Sequence, residues 1–147
     1  MPTAAKLVAA IAFGLVAWLV SWALVPVFPE KADLGYFFHV NTVAGVLCGW
    51  LIMGRLAGEG PVIAVTSGIR TAVVMAFYAL LAHASWEMLQ RALDKRYDGV
   101  MEALVGVISL FGEFGLMLVT APLAMLLLIG GGVLSAQVTE LAARLWR

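Results

Sequence analysis

Residues Leu7 to Phe28 contain no charged side chain, and apolar stretches of similar length recur to the C-terminus. A run of about 20 such residues is long enough to cross a bilayer as a helix, and in hydrocarbon a chain must satisfy its own peptide groups. The expected fold is therefore all-α, a polytopic transmembrane helix bundle in one integral membrane domain covering residues 1–147. Of the 147 residues 63% are hydrophobic and 12% charged, which leaves no separate soluble domain.

Nine basic residues balance nine acidic ones without forming a run, so no nucleic-acid partner is expected. Cys48 is the single cysteine and lies in an apolar segment, which excludes an internal disulfide. The first apolar core is too long for a signal-peptide h-region and lacks a small-x-small cleavage site; it reads as a retained span.

Span 1 is placed at about 7–28, closed by Pro26 and Pro29, with the polar turn Glu30-Lys31-Ala32-Asp33 at an interface. Span 2 covers about 36–54, with Tyr36, Phe37 and Phe38 as an aromatic belt. Glycines and Pro61 break the chain over 54–61, span 3 runs over about 66–90, and a charged turn follows from Arg91 to Asp98. As one helix, residues 100–147 would be roughly 72 Å long against a hydrocarbon core of about 30 Å, so the chain must turn or leave the membrane. A break at Thr120-Ala121-Pro122 gives spans at about 100–119 and 122–143, five in all. A break at Gly130-Gly131-Gly132 gives four, with 133–147 as a surface helix.

Charge favours five. Lys31, Arg91, Lys95, Arg96, Arg144 and Arg147 then share one side, against Lys6, Arg55 and Arg70 on the other. This implies an N-terminus outside and a cytoplasmic C-terminus, while the four-span arrangement shows no bias.

Several strings resemble a known family. Met1-Pro2-Thr3-Ala4-Ala5-Lys6-Leu7-Val8, Gly49-Trp50, Gly54-Arg55, Trp86-Glu87-Met88-Leu89, the run from Arg96 to Ala103 and the closing Arg144-Leu145-Trp146-Arg147 are similar to the TrgA group of small alphaproteobacterial membrane proteins. Val100 stands where proline is expected after Asp-Gly. The resemblance implies a multi-pass protein of the bacterial inner (cytoplasmic) membrane associated with tellurite resistance, and it assigns no catalytic residue.

Ionisable and strongly polar groups in lipid are costly, which makes each a candidate site. Glu102, Gly106, Ser109 and Glu113 share one helical face, expected to look into the bundle; Glu113 reads as a proton- or cation-binding carboxylate or as a hydrogen-bonding glue between helices. Arg70 is a candidate for an oxyanion, for an ion pair with Glu113 or Glu59, or for snorkelling to the headgroups. Glu87 and Arg91 are spaced as a favourable i,i+4 pair. His39 and Asn41 begin span 2 and His83 lies late in span 3, positions expected at different depths. Two histidines and one cysteine on separate turns do not make a metal site, and no cofactor is expected.

Asn41, Gly45 and Gly49 form a small-residue face on span 2. Ala10, Gly14, Ala17 and Ser21 do the same on span 1, and Gly130 to Gly132 with Ser135 on the last helix. These seams pack helices within the bundle or against a partner, whether a second copy or a larger membrane complex. No nucleophile with a base, phosphate-binding loop or paired aqueous carboxylates points to an enzyme. Three functions remain: a non-enzymatic protein of tellurite or oxidative-stress tolerance, which rests on the resemblance, an accessory or assembly subunit, and a small proton-coupled carrier using Glu113.

Overall fold

The computed structural model describes residues 3–30 and 34–146, so the turn residues Lys31 and Asp33 and the terminal Arg147 lie outside it. The fold is all-α, with no strand among the described residues, and five helices are each long and apolar enough to cross a membrane. These are α1 (Thr3–Leu24), α2 (Phe37–Leu56), α3 (Pro61–Leu93), α4 (Val100–Thr120) and α5 (Pro122–Leu145). The break in the last third of the chain falls at Ala121, whose extended backbone precedes Pro122. Proline disfavours the helical region for the residue before it, and its missing N–H costs nothing at a helix start. Gly130 to Gly132 stay inside α5, so residues 133–145 continue that helix instead of lying on a surface.

Small residues let the helices approach to backbone contact. A Cβ on Gly45 would sit 2.5 Å from the Phe13 carbonyl oxygen, and one on Gly49 would collide with the carbonyl of Ala9. The face of Asn41, Gly45 and Gly49 is thus occupied inside the chain, by α1. At Gly49 to Met53 α2 widens into a π-helical turn while passing α1. Gly68 meets Gly132 in the same way, where an added Cβ would lie 2.6 Å from the Gly132 carbonyl oxygen.

Helix direction follows from these contacts. Gly54 packs on Lys6 and Gly45 on Phe13, so α1 and α2 are antiparallel. Gln137 near the end of α5 reaches Pro61 at the start of α3, while Gly132 packs on Gly68 and Ala72, so α3 and α5 are antiparallel too. The start of α1, the end of α2, the start of α3 and the end of α5 therefore share one end of the bundle, marked by the 57–60 turn. The described termini do not lie at opposite ends, as five alternating helices would require. The cause is α4: it returns only along the far half of α3, with Phe111 against Phe77 (centroids 5.4 Å apart) and Leu118 near Leu80, and α5 continues in the same sense. With 33 residues, α3 is about 50 Å long and offers that extra length.

This arrangement also removes the charge asymmetry. Lys6, Arg55, Arg70 and Arg144 belong to the half with the 57–60 turn, and Arg91, Lys95 and Arg96 to the other. The basic residues among those described are shared between the ends, and no orientation follows from them.

Candidate functional site

Within the core of the bundle one chain of hydrogen bonds ties three helices. Ser21 on α1 is fully buried and Asn41 on α2 is 8% exposed. Asn41 donates from Nδ2 to Ser21 Oγ at 2.8 Å, and Ser21 donates in turn to the Ala17 carbonyl at 2.7 Å. The Asn41 Oδ1 lies 2.8 Å from His83 Nε2 on α3. An amide oxygen only accepts, so His83 must carry a proton on Nε2 with the amide oriented this way. The order His83, Asn41, Ser21, Ala17 is thus a directed series of donors and acceptors. Phe37 closes over His83, its ring 5.0 Å away, and also meets Phe28. It serves this core contact, while Tyr36 beside it is exposed.

His83 and Asn41 were expected at different depths. The antiparallel pairing of α2 and α3 brings the beginning of one beside the later part of the other, so they meet at the same level.

A second polar centre sits at the opposite end. Glu140 on α5 is 3% exposed, and its carboxylate accepts the backbone N–H of Gly58 at 2.6 Å and of Gly60 at 3.0 Å. Arg144 donates from Nε to Oε1 at 3.2 Å, and the neighbouring Gln137 donates to the Pro61 carbonyl at 2.8 Å. Gly58 and Gly60 have φ of 103° and 116°, conformations that side-chain-bearing residues rarely adopt. The carboxylate satisfies the donors of a turn only glycine makes cheaply, and so fastens the α2–α3 connection to α5. Glu140 is not among the residues that the sequence singles out; the Gly-x-Gly-Pro turn over 58–61 is the one signal, since its backbone N–H groups need an acceptor.

The residues singled out on the third and fourth spans are not brought together. Glu113 and Ser109 are exposed on a flank of α4, not turned into the bundle, because α4 packs through its Leu110 and Leu118 side. Glu102 is exposed as well, and its Oε2 accepts the Asp98 backbone N–H at 2.7 Å, capping the start of α4. Gly106, on the same helical face, packs against the Tyr97 hydroxyl. Arg70 is exposed on α3 and pairs with neither Glu113 nor Glu59. The Glu87–Arg91 pair forms at 3.0 Å across a half-exposed surface. Among the described residues no three His, Cys, Asp or Glu side chains converge as metal ligands.

In comparisons with known proteins, no family model, curated protein or solved structure matches this chain.

Proposed function

We propose that this chain is a non-enzymatic multi-pass protein of the bacterial cytoplasmic membrane that contributes to tellurite tolerance, crossing the bilayer with α1, α2, α3 and α5. The resemblance of its opening, central and closing strings to the TrgA group supports the tolerance role and the membrane. The observation that carries the non-enzymatic part is the use of the inward polar groups: the buried Ser21, Asn41 and Glu140 and the half-buried His83 bond to other helices or to a turn, so the polar chemistry within the fold serves its assembly. Deleting the gene in its native host should lower the tellurite concentration that permits growth, and the intact gene should restore it. Unchanged growth of the deletion strain on tellurite overturns the role.

An accessory role in a larger membrane complex is the second reading, and α4 favours it. Met101, Leu104, Val105 and Ile108 are all exposed along a helix that covers only part of α3. Native gel migration in mild detergent tests it: a larger species that collapses on Ile108→Asp supports the reading, and an unchanged small monomer opposes it.

A further inference from the structure

Gly132 of α5 packs on Gly68 and Ala72, the residues that bracket Arg70 on α3, and the neighbouring Gly131 packs on Val16 of α1. Gly132 and Val16 lie near the middles of α5 and α1, both of which cross the bilayer in the reading above. Arg70 is therefore about 15 Å from either edge of a hydrocarbon core about 30 Å thick, further than an extended arginine side chain reaches toward the headgroups. It also points away from the bundle. Two residues along a helix are about half a turn, so Arg70 lies opposite the contact made by Gly68 and Ala72. It is exposed and makes no ion pair or hydrogen bond among the described residues. An unanswered charge at that depth is costly in lipid, and such groups persist where a counter-charge meets them.

The face around Arg70 has the form of a helix-packing seam. Ile63, Thr66, Arg70, Val73 and Phe77 recur at spacings of three, four, three and four, and all five are exposed. The Thr66 hydroxyl donates to the Ile63 carbonyl at 2.9 Å, which leaves the guanidinium as the one unanswered polar group of the stripe. Val73 and Phe77 also edge a groove of about 240 Å³, lined by apolar side chains and closed by Leu118 of α4 and Ile129 of α5.

We propose that this face of α3 docks a transmembrane helix of another protein, apolar except for one carboxylate near its middle, which pairs with Arg70 while an apolar side chain enters the groove. Charge and depth select that occupant. A two-fold contact between copies of this chain along the stripe would set one Arg70 opposite the other. No described carboxylate of this chain lies at the level of Arg70: Glu59 and Glu140 flank the 57–60 turn, and the others lie at the opposite end or along the far half of α3. A lipid phosphate stays at the membrane edge. The proposal rests on the accessory-subunit reading and gives that reading a partner at α3 instead of α4.

Energy transfer from the tryptophans of the full chain to a dansylated synthetic helix, in dioleoyl phosphatidylcholine vesicles, tests it. The probe is a run of about 20 leucines and alanines flanked by lysines, with one glutamate at its centre. The wild-type chain should associate with it about tenfold more tightly than with the same peptide carrying glutamine, as a charge-assisted bond between helices predicts. Arg70→Gln should abolish that preference, and so should moving the glutamate to one end of the peptide. Arg70→Glu should reject the glutamate peptide and accept one with a central lysine, an exchange that no loss of folding produces. Val73→Trp, which fills the groove, should weaken both peptides alike, and Arg91→Gln at the far end of α3 should change neither. Equal binding of the glutamate and glutamine peptides overturns the proposal, as does a preference that survives Arg70→Gln or binding that Val73→Trp leaves intact. Energy transfer between two copies of the chain that Arg70→Gln abolishes would assign the face to self-association and overturn it too. A native gel unmoved by Ile108→Asp removes the α4 contact and leaves the peptide result standing, so the two readings fail separately.

Discussion

His83 Nε2 and Asn41 Oδ1 lie 2.8 Å apart across an α2–α3 interface although 42 positions separate them in the chain. Asn41 spends its other amide group on Ser21 of α1, so one side chain holds three helices in register. Replacing it with leucine roughly keeps the shape, strands the imidazole N–H of His83 and leaves Ser21 with its bond to the Ala17 carbonyl alone. Asn41→Leu should lower stability by about 1–2 kcal/mol, the range found for interhelical hydrogen bonds in membranes. A double-mutant cycle of Ser21→Ala and Asn41→Ala, followed by thermal unfolding in mild detergent, should give a positive coupling energy. Strict additivity would show that the contact contributes nothing.

Glu140 fastens the 57–61 connection through two backbone donors with a charged acceptor. Glutamine keeps the shape but faces one of those N–H groups with an amide that also donates. Glu140→Gln should cost about 1–3 kcal/mol, with most of the effect local. Hydrogen exchange at the amides of Gly58 and Gly60 should quicken well before exchange in α1. Arg144→Gln should do much less, since its guanidinium is half exposed and a solvent-facing pair contributes little. Equal effects of the two substitutions would place the stabilisation in the ion pair and not in the turn.

The glycines on the helix surfaces divide sharply. At Gly49 a side chain meets the backbone of Ala9 and Ala10, whereas at Gly130 nothing lies within 4 Å. Gly49→Leu must push α1 and α2 apart and should cost at least 1–3 kcal/mol, as over-packing does in other cores. Gly130→Leu should be neutral or stabilising, because glycine is about 1 kcal/mol worse than alanine within a helix. Melting temperatures of the two variants in the same detergent check the contrast, and equal losses would contradict the packing described.

The helices were legible because hydrocarbon leaves so few choices: uncharged runs such as Leu7 to Phe28 must form helices. Pro122 also marked its own break. Direction was not legible. The length of residues 100–147 required a turn, yet a proline break does not say whether the next helix reverses, and α5 in fact continues in the sense of α4. The meeting of Asn41 with His83 does not depend on that ambiguity: consecutive spans α2 and α3 are antiparallel in either arrangement, which sets the beginning of one beside the later part of the other, so it was open to a reading of the sequence. The face of Glu113 misled for a related reason. Polar groups were assigned to the interior on the cost of placing them in lipid, whereas α4 covers only the far half of α3 and leaves its flank open.

The shared position of the two chain ends has the most direct test. Lys6 packs on Gly54 while Glu140 holds Gly58 and Gly60, so the start of α1 and the end of α5 flank the same turn. Cys48 is buried and is the only cysteine, which makes a Cys48→Ala background suitable for single-cysteine labelling. In intact cells, a membrane-impermeant thiol reagent should treat Thr3→Cys, Glu59→Cys and Trp146→Cys alike. Asp98→Cys, at the α3–α4 turn, should respond in the opposite way. Labelling of Thr3→Cys and Trp146→Cys from opposite sides would require α4 to cross the bilayer as a fifth span, and the packing of Gln137 and Glu140 on the 57–61 turn would then be wrong.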